Sequence, residues 1–156
     1  MMRGWWMTGV LVVLCACGGA PPKDQSQIVI APAQKPSDES RRFPLADQAG
    51  MQLVDSKLLG KDFLPGGNVA QYRRNGKTYQ QFLVRSKSAQ DAAILLFDFQ
   101  NHLRDPKFLP HMGGYFGMDG EQPVYVFQKS VFLAGFIGLP EKEADPLARQ
   151  FAARLD

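Results

Sequence analysis

The chain has 156 residues, of which 45% are hydrophobic and 11% aromatic, and its formal net charge is +3. This composition is too apolar for a disordered protein, and the small positive charge gives no indication of nucleic-acid binding. Both cysteines, Cys15 and Cys17, lie near the N-terminus, which excludes a disulfide, a thiol nucleophile or a cysteine metal site in the rest of the chain.

Residues 1–16 have the features of an export signal. Arg3 supplies a positive charge, and an apolar stretch follows from Trp5 to Ala16. A helix of a dozen residues is roughly 18 Å long, which is shorter than the ~30 Å hydrocarbon core of a bilayer. The pattern therefore predicts a signal peptide rather than a permanent transmembrane helix.

The end of this segment, Leu14-Cys15-Ala16-Cys17 followed by Gly18, resembles the lipobox of bacterial lipoproteins. The resemblance implies that the thiol of Cys17 takes a diacylglyceryl group and that a signal peptidase cuts between Ala16 and Cys17. The residue after Cys17 is Gly18 rather than aspartate, which resembles the pattern of lipoproteins that are delivered to the outer membrane. In a Gram-positive host the protein would instead be attached to the cell membrane. Either way the domain would face the periplasm or the exterior.

Three alternatives to this interpretation remain open. An ordinary signal peptide could be cut after Ala16 or Ala20 and release a soluble protein, or the apolar N-terminus could have no export role. Cys15 could be the lipidated residue, although leucine fits poorly directly before the cut.

Residues 17–42 are predicted to be the lipidated cysteine followed by a flexible linker. The 25 residues from Gly18 to Arg42 contain four prolines and no aromatic residue, a composition typical of a solvated tether that reaches at most ~80 Å. The run from Gln27 to Ala31 is its one apolar interruption, and it could form an added edge strand or a docking patch.

Residues 43–156 are predicted to form a single α+β domain, with an antiparallel sheet of about five hairpin-rich strands and two helices packed mainly on one face. Phe43 to Gly60 fits either a short helix or a strand. Asn75-Gly76 predicts a type I′ hairpin between residues 69–74 and 77–85, because both central residues of that turn need positive φ.

The second half of the domain begins with a predicted helix, opened by a capping box at Ser88 and stopped by Pro106, on which Phe97 widens the apolar stripe. The glycine-rich stretch 108–120 predicts loops and turns around a short strand at Tyr115 to Met118. The two hydrophobic runs 124–128 and 131–139 predict central strands that are covered on both faces. A terminal helix is predicted to start at Asp145, with Pro146 as its first residue.

Several of these motifs together resemble the bacterial domain-of-unknown-function family numbered 6599 over about residues 44–155. They are Gly66-Gly67 followed by Tyr72, Ser88-x-x-Asp91-Ala92 opening an aromatic helix, and a terminal helix containing LARQFAARL. The resemblance implies an exported domain of unknown role and supplies no catalytic residue.

No catalytic residue, cofactor or metal site is predicted. His102 and His111 could meet with Asp98 or Asp105 around a metal, but their spacing is not that of a zinc motif. Asp119 and Glu121 could act as paired carboxylates, although the polarity of a hairpin turn explains them. The serines lack a nucleophile elbow, and the glycines at 113–120 do not form a dinucleotide-binding loop.

Two groups of residues are candidates for binding. Tyr72, Arg73, Arg74 and Tyr79 at the hairpin tip, with Lys77, could recognise an anionic glycan or headgroup. Aromatic residues of the late strands could line an apolar groove: Tyr115, Phe116, Tyr125, Phe127, Phe132 and Phe136. A solvated turn and ordinary core packing are the respective alternatives.

The predicted function is that of a membrane-tethered cell-envelope lipoprotein, acting as a non-enzymatic binding or structural module. Its partners would be the membrane, through the lipid on Cys17, and an envelope protein, engaged by a sheet face without helices or by the glycine loop 113–120. Nucleic acid is not among them. The alternatives are a carrier of an apolar small ligand in the periplasm and, less well supported, an enzyme of unrecognised type.

Overall fold

The computed structural model describes residues 35–156. The predicted signal peptide, Cys17, the run from Gln27 to Ala31 and most of the predicted linker lie outside the described residues.

The described chain forms seven strands and two α-helices. In chain order they are β1 Gln48–Ser56, β2 Pro65–Arg74, β3 Lys77–Arg85, α1 Ala89–His102, β4 Arg104–Leu109, β5 Gly114–Asp119, β6 Gln122–Lys129, β7 Phe132–Ile137 and α2 Glu141–Ala152. Two single-turn 3-10 helices, Ser40–Arg42 and Leu58–Gly60, lie in the connections before β1 and β2.

All seven strands belong to one antiparallel sheet in the order β1-β2-β3-β7-β6-β5-β4. The first three strands form one meander and the last four form another, and the two meanders join where β3 pairs with β7. The predicted α+β class with an antiparallel sheet and two helices is confirmed. The strand count is seven rather than about five, because β1 and β4 are added at the two edges.

The two helices cover opposite faces of the sheet. Leu96 and Phe99 of α1 pack in one core with Val126 of β6, whereas Phe151 of α2 packs in the other core with Tyr125, the preceding residue of β6. Since successive residues of a strand point to opposite faces, the prediction that both helices pack mainly on one face is wrong. The physical reason is that β6 and β7 carry apolar side chains on both faces, and each face needs its own cover.

The predicted central strands are confirmed, because residues 124–127 and all of β7 are buried. Gly135 of β7 allows the Phe82 ring to lie directly against the sheet, where it stacks on Phe99 with centroids 5.7 Å apart. A Cβ at Gly135 would lie 2.6 Å from the Phe82 ring and 2.5 Å from the Tyr125 carbonyl oxygen. The absence of a side chain at this position therefore sets how closely α1 approaches the sheet.

The hairpin and the start of α1 also form as predicted. Asn75 and Gly76 both have positive φ, at 50° and 76°, as a type I′ turn requires. The Ser88 hydroxyl accepts a hydrogen bond of 3.0 Å from the backbone N–H of Asp91, which caps α1.

Three boundaries in the second half differ from prediction. Helix α1 ends at His102, and Pro106 lies inside edge strand β4, where a missing N–H is tolerated. The short strand predicted at Tyr115 to Met118 forms as β5, but Phe108 and Leu109, predicted as loop, belong to β4. Helix α2 begins at Glu141, so that Pro146 lies within the helix and the Asp145 side chain does not cap it.

Residues just before Phe43, assigned to the linker from sequence, are part of the folded domain. Glu39 is only 2% exposed, and its backbone N–H donates to the Asn68 side chain at 2.9 Å. Its carboxylate pairs with Arg42 and Arg85. The domain therefore starts several residues earlier than the predicted boundary between residues 42 and 43.

Neither of the helices described has both the length and the hydropathy that crossing a membrane requires.

Candidate functional site

The first candidate site is a groove of about 470 Å³ between the tip of the β2–β3 hairpin and α2, called the hairpin groove below. It is lined by Arg74, Asn75, Lys77, Tyr79, Leu139, Glu143, Pro146, Leu147 and Gln150. Of the predicted binding residues, the structure brings Arg74 and Tyr79 together here, because Arg74 pairs with Lys77 and Tyr79 with Tyr72 in the register of the hairpin.

The other two predicted residues of the hairpin do not line this groove. Tyr72 is buried, its hydroxyl donates to the Pro44 carbonyl at 2.8 Å, and its ring stacks on Tyr79. Arg73 is exposed, but strand alternation points it to the face opposite Arg74. The prediction is therefore corrected at both positions: Tyr72 is a core residue and Arg73 lies outside the groove.

The charges around the hairpin groove are unequally paired. The ammonium group of Lys77 lies 2.8 Å from the Glu143 carboxylate, whereas the guanidinium of Arg74 is 3.9 Å from the nearest carboxylate oxygen of Asp47. Both are surface pairs, which contribute little to stability. Of these two cations, Arg74 is the more loosely paired.

Burial raises the pKa of Tyr79 above its ordinary value. The positive charge of Arg74 opposes this shift and the negative charge of Asp47 adds to it. The phenol is therefore protonated at neutral pH and can donate a hydrogen bond.

The second candidate site is a solvent-open groove of about 810 Å³ between α1 and residues 62–66, called the α1 groove below. It is lined by Lys35, Pro36, Ser37, Asp62, Phe63, Leu64, Pro65, Gly66, Arg85, Ser86, Lys87, Asp91, Ile94 and Leu95. Its walls combine apolar side chains with charges of both signs.

The outer side of α1 beside this groove is also apolar. Ile94 is 52% exposed and Phe97 is 59% exposed, and residues three apart lie on the same side of a helix. The sequence interpretation placed Phe97 in the stripe that faces the sheet, but the structure turns it to solvent. An aromatic residue outside the regular apolar stripe of the helix was the sequence signal that could have identified this exposed surface.

A third arrangement surrounds Asp145 on α2. One carboxylate oxygen accepts a hydrogen bond from the Tyr125 hydroxyl at 2.8 Å and contacts the His111 ring at 2.5 Å, and the other pairs with Arg149 at 2.9 Å. Burial would raise the pKa of Asp145, but these partners outweigh it and hold the pKa below its ordinary value. The cluster lines neither groove.

The two histidines do not meet. His102 stacks on Phe63 on the α1 side of the sheet and contacts the Asp98 carbonyl, while His111 contacts α2 on the other side. Within residues 35–156 there is no group of three histidine, cysteine, aspartate or glutamate side chains that could hold a metal ion.

The remaining predicted residues have structural surroundings. Asp119 pairs with Lys61 at 2.5 Å, and Glu121 is exposed at the β5–β6 turn. Tyr115 and Phe116 are neighbours on β5 that pack against opposite cores. The other aromatic residues of the late strands are core residues that line neither groove: Tyr125, Phe127, Phe132 and Phe136.

The glycine stretch does not form an open binding loop. Gly114 and Gly117 lie in β5, where an added Cβ would collide with the Val126 carbonyl and meet the Leu103 side chain respectively. These glycines permit close packing.

No protein-family model, curated protein or solved structure matches the chain. The resemblance to the family numbered 6599 therefore stays a prediction.

Proposed function

We propose that the chain is the precursor of a cell-envelope lipoprotein whose domain is a non-enzymatic binding module. The anchor is the lipid on Cys17, in the outer membrane or the cell membrane. The support is the short apolar leader that ends in the lipobox pattern. Two or three acyl chains hold a protein on a bilayer far more firmly than a single chain does.

The observation that carries the binding role is the exposed apolar surface of α1 beside the α1 groove. Large apolar side chains exposed next to a groove are typical of a site that a partner covers. Ile94 lies at the groove and Phe97 one turn further along the helix. Cations and carboxylates at the same groove, such as Arg85 and Asp62, favour a protein segment with both apolar and charged side chains.

The placement of the reactive groups favours binding over catalysis. In the described part of the chain, the histidine–carboxylate pair His111–Asp145 lies outside both grooves. Tyr125, whose hydroxyl donates to Asp145, is fully buried in the sheet.

Site-specific photocrosslinking in the native envelope tests the binding role. A photoreactive residue at position 94 or 97 of the tethered protein should capture the same partner, while the same residue at Lys142, exposed on the opposite helix, should not. Phe97→Glu should abolish capture from position 94 without altering the amount of protein. Equal capture from position 142, or none from 94 and 97, would contradict the proposal.

A carrier of an apolar ligand is the second candidate, and the volume of the α1 groove favours it, since small-molecule sites start at about 300 Å³. The aromatic residues of the late strands, which were predicted to line an apolar groove, do not support the carrier, because they pack in the core. Saturable, stoichiometric binding of a fluorescent apolar probe such as N-phenyl-1-naphthylamine, displaced by a fatty acid and weakened by Leu95→Asp, would favour the carrier over the protein-binding module.

A further inference from the structure

The two edges of the sheet differ in how well they are protected against pairing with another chain. Edge strand β4 is only six residues long, contains Pro106 and the basic residues Arg104 and Lys107, and has a register shift against β5. Each of these features hinders the addition of a further strand. The β4 edge therefore has the protection that natural sheets commonly show.

Edge strand β1 has little of this protection. It is nine residues long, and its sequence, QAGMQLVDS, contains no proline and no basic residue. Among the described residues it pairs with β2 only, and the register of this pairing is regular from Gly50 to Ser56. The backbone N–H and C=O groups on the free side of an edge strand form a template for another strand. The β1 edge is therefore open to pairing.

Apolar side chains at the β1 edge are incompletely covered. Met51 packs against the core on the α2 side of the sheet and Val54 against the core on the α1 side. Leu53 shares the face of Met51, because side chains alternate along a strand. All three are only partly buried, and Leu45, which precedes β1, is 84% exposed. A further strand beside β1 would bury more of this apolar surface.

A second copy of β1, running antiparallel, is complementary to this edge. A two-fold axis at Gln52 places Met51 of each copy opposite Leu53 of the other, and Gly50 opposite Val54. Apolar side chains then face each other, and none of the five paired positions is charged. Apolar cross-strand pairs stabilise a sheet, whereas like charges that lie directly opposite destabilise it.

The neighbouring registers are less favourable than the one centred on Gln52. An axis at Leu53 would place Met51 opposite Asp55, and an axis at Met51 would extend the pairing into the register shift between Gln48 and Gly50. With the axis at Gln52, Asp55 lies opposite Ala49 and faces no like charge directly.

The charges at the ends of β1 do not oppose this pairing. Asp47 lies just before β1 and Lys57 just after it, so antiparallel pairing brings the acid of one copy toward the base of the other. Each already has a partner within its own chain, which is Arg74 for Asp47 and Asp62 for Lys57. The ends therefore add no net repulsion between the copies.

We propose that β1 pairs antiparallel with β1 of a second copy of this chain, with the two-fold axis at Gln52, so that the two sheets become continuous. Five residue pairs supply about five backbone hydrogen bonds, whereas a typical stable interface has about ten. The dimer should therefore be weak and reversible. This inference goes beyond the proposed function and involves neither the α1 groove nor the lipid on Cys17.

Disulfide trapping tests the pairing on the full-length chain, purified in an uncharged detergent and carrying Cys15→Ser and Cys17→Ser. Gln52→Cys adds one thiol per copy at the axis. Opposite Cα atoms in antiparallel strands lie about 4.5–5.5 Å apart, within the range of a disulfide. Mild oxidation should yield covalent dimer at least about fivefold faster than in the matched control Gln122→Cys. Gln122 is also an exposed glutamine on a strand, but it lies in β6, away from β1.

Sedimentation equilibrium of the full-length chain measures the affinity without a crosslink. Gln52→Lys places two ammonium groups opposite each other and should raise the dimer dissociation constant by about threefold or more. Gln122→Lys should leave it unchanged. Equal trapping of the two cysteine variants, or an unchanged constant in Gln52→Lys, would overturn the inference. A photoreactive residue at position 52 that crosslinks within one chain or to a different protein, and not to a second copy, would also overturn it.

The outcome is separable from that of the proposed function. Gln52→Lys leaves Ile94 and Phe97 in place, so crosslinking from position 97 should persist in this variant. Loss of dimer alone would leave the protein-binding role of α1 standing, and absence of crosslinking from α1 alone would leave the β1 pairing standing.

Discussion

The hydroxyl of Tyr125, which is completely buried in the sheet, donates a hydrogen bond of 2.8 Å to the carboxylate of Asp145 on α2. This bond links central strand β6 to the terminal helix. Asp145 was predicted to cap the terminal helix, but its carboxylate instead contacts His111 and Arg149 in addition to Tyr125.

Removing this hydroxyl should weaken the attachment of α2. Tyr125→Phe keeps the ring in the core but removes a hydrogen bond to a charged group, so the free energy of unfolding should fall by about 1–3 kcal/mol. Urea denaturation measures the change. Tyr115→Phe is the control and should have a much smaller effect, because Tyr115 is only partly buried. Equal effects of the two substitutions would mean that the Asp145 bond contributes nothing.

Acid should destabilise the domain through Glu39 and Asp145. Burial would raise the pKa of each carboxyl, but hydrogen bonds and ion pairs lower both pKa values below their ordinary values. The partners of Glu39 are Arg42 and Arg85, and those of Asp145 are His111, Tyr125 and Arg149. A carboxyl with a lowered pKa in the folded state contributes stability that is present above its unfolded-state pKa and is lost as the pH falls through the folded-state pKa.

The loss should therefore begin near pH 4.5, the ordinary value for glutamate, and continue below it. Thermal unfolding between pH 7 and pH 3 tests this. Glu39→Gln should lower the melting temperature at pH 7 and flatten its fall at low pH. An identical pH profile in this variant would show that Glu39 is not among the groups responsible.

A methyl group at Gly135 should disrupt the packing of α1. The added Cβ would collide with the Tyr125 carbonyl and the Phe82 ring, and overpacking of this kind costs about 1–3 kcal/mol. Gly50→Ala is the matched control, because Gly50 is exposed on edge strand β1 and has nothing within 4 Å of an added Cβ. Chemical denaturation should show a loss for Gly135→Ala only, and an unaffected Gly135→Ala protein would contradict the observed closeness of Phe82 to the sheet.

The contribution of the Ser88 cap to the free energy of unfolding can be measured by substituting Ser88. Ser88→Ala removes the oxygen that accepts from the Asp91 N–H and should cost about 0.5–2 kcal/mol, whereas Ser88→Asp should retain most of the stability. Calorimetric unfolding of the two variants separates capping from the mere loss of a polar side chain. If both variants lost stability equally, the hydroxyl would have a role other than capping.

The sequence predicted the elements that have strong local signals. Asn75-Gly76 and Ser88 act within a few residues of themselves, and the hydrophobic runs of β6 and β7 are long enough to identify central strands. Edge strands β1 and β4 were not identified from the sequence. An edge strand is covered less completely, so its apolar and polar side chains need not alternate. In β4 the proline at position 106 further suggested the end of an element.

The placement of the helices could have been predicted from β6 and β7. Strands that are apolar on both faces need cover on both faces, and two helices on one face cannot provide it. Only the hairpin side of the hairpin groove was predicted, because the hairpin register brings Arg74 and Tyr79 to one face. The residues on the other side, such as Glu143 and Gln150, come from α2, whose start at Glu141 has no side-chain cap that the sequence could reveal. Long-range contacts of this kind leave no local pattern.

Mass spectrometry of the mature N-terminus, comparing the wild type with Cys17→Ser, tests the proposed lipid anchor on Cys17. We expect a wild-type N-terminal peptide that begins at Cys17 and carries the mass of a diacylglyceryl group, which Cys17→Ser lacks. A wild-type peptide that begins at Met1, or an unmodified Cys17, would contradict it.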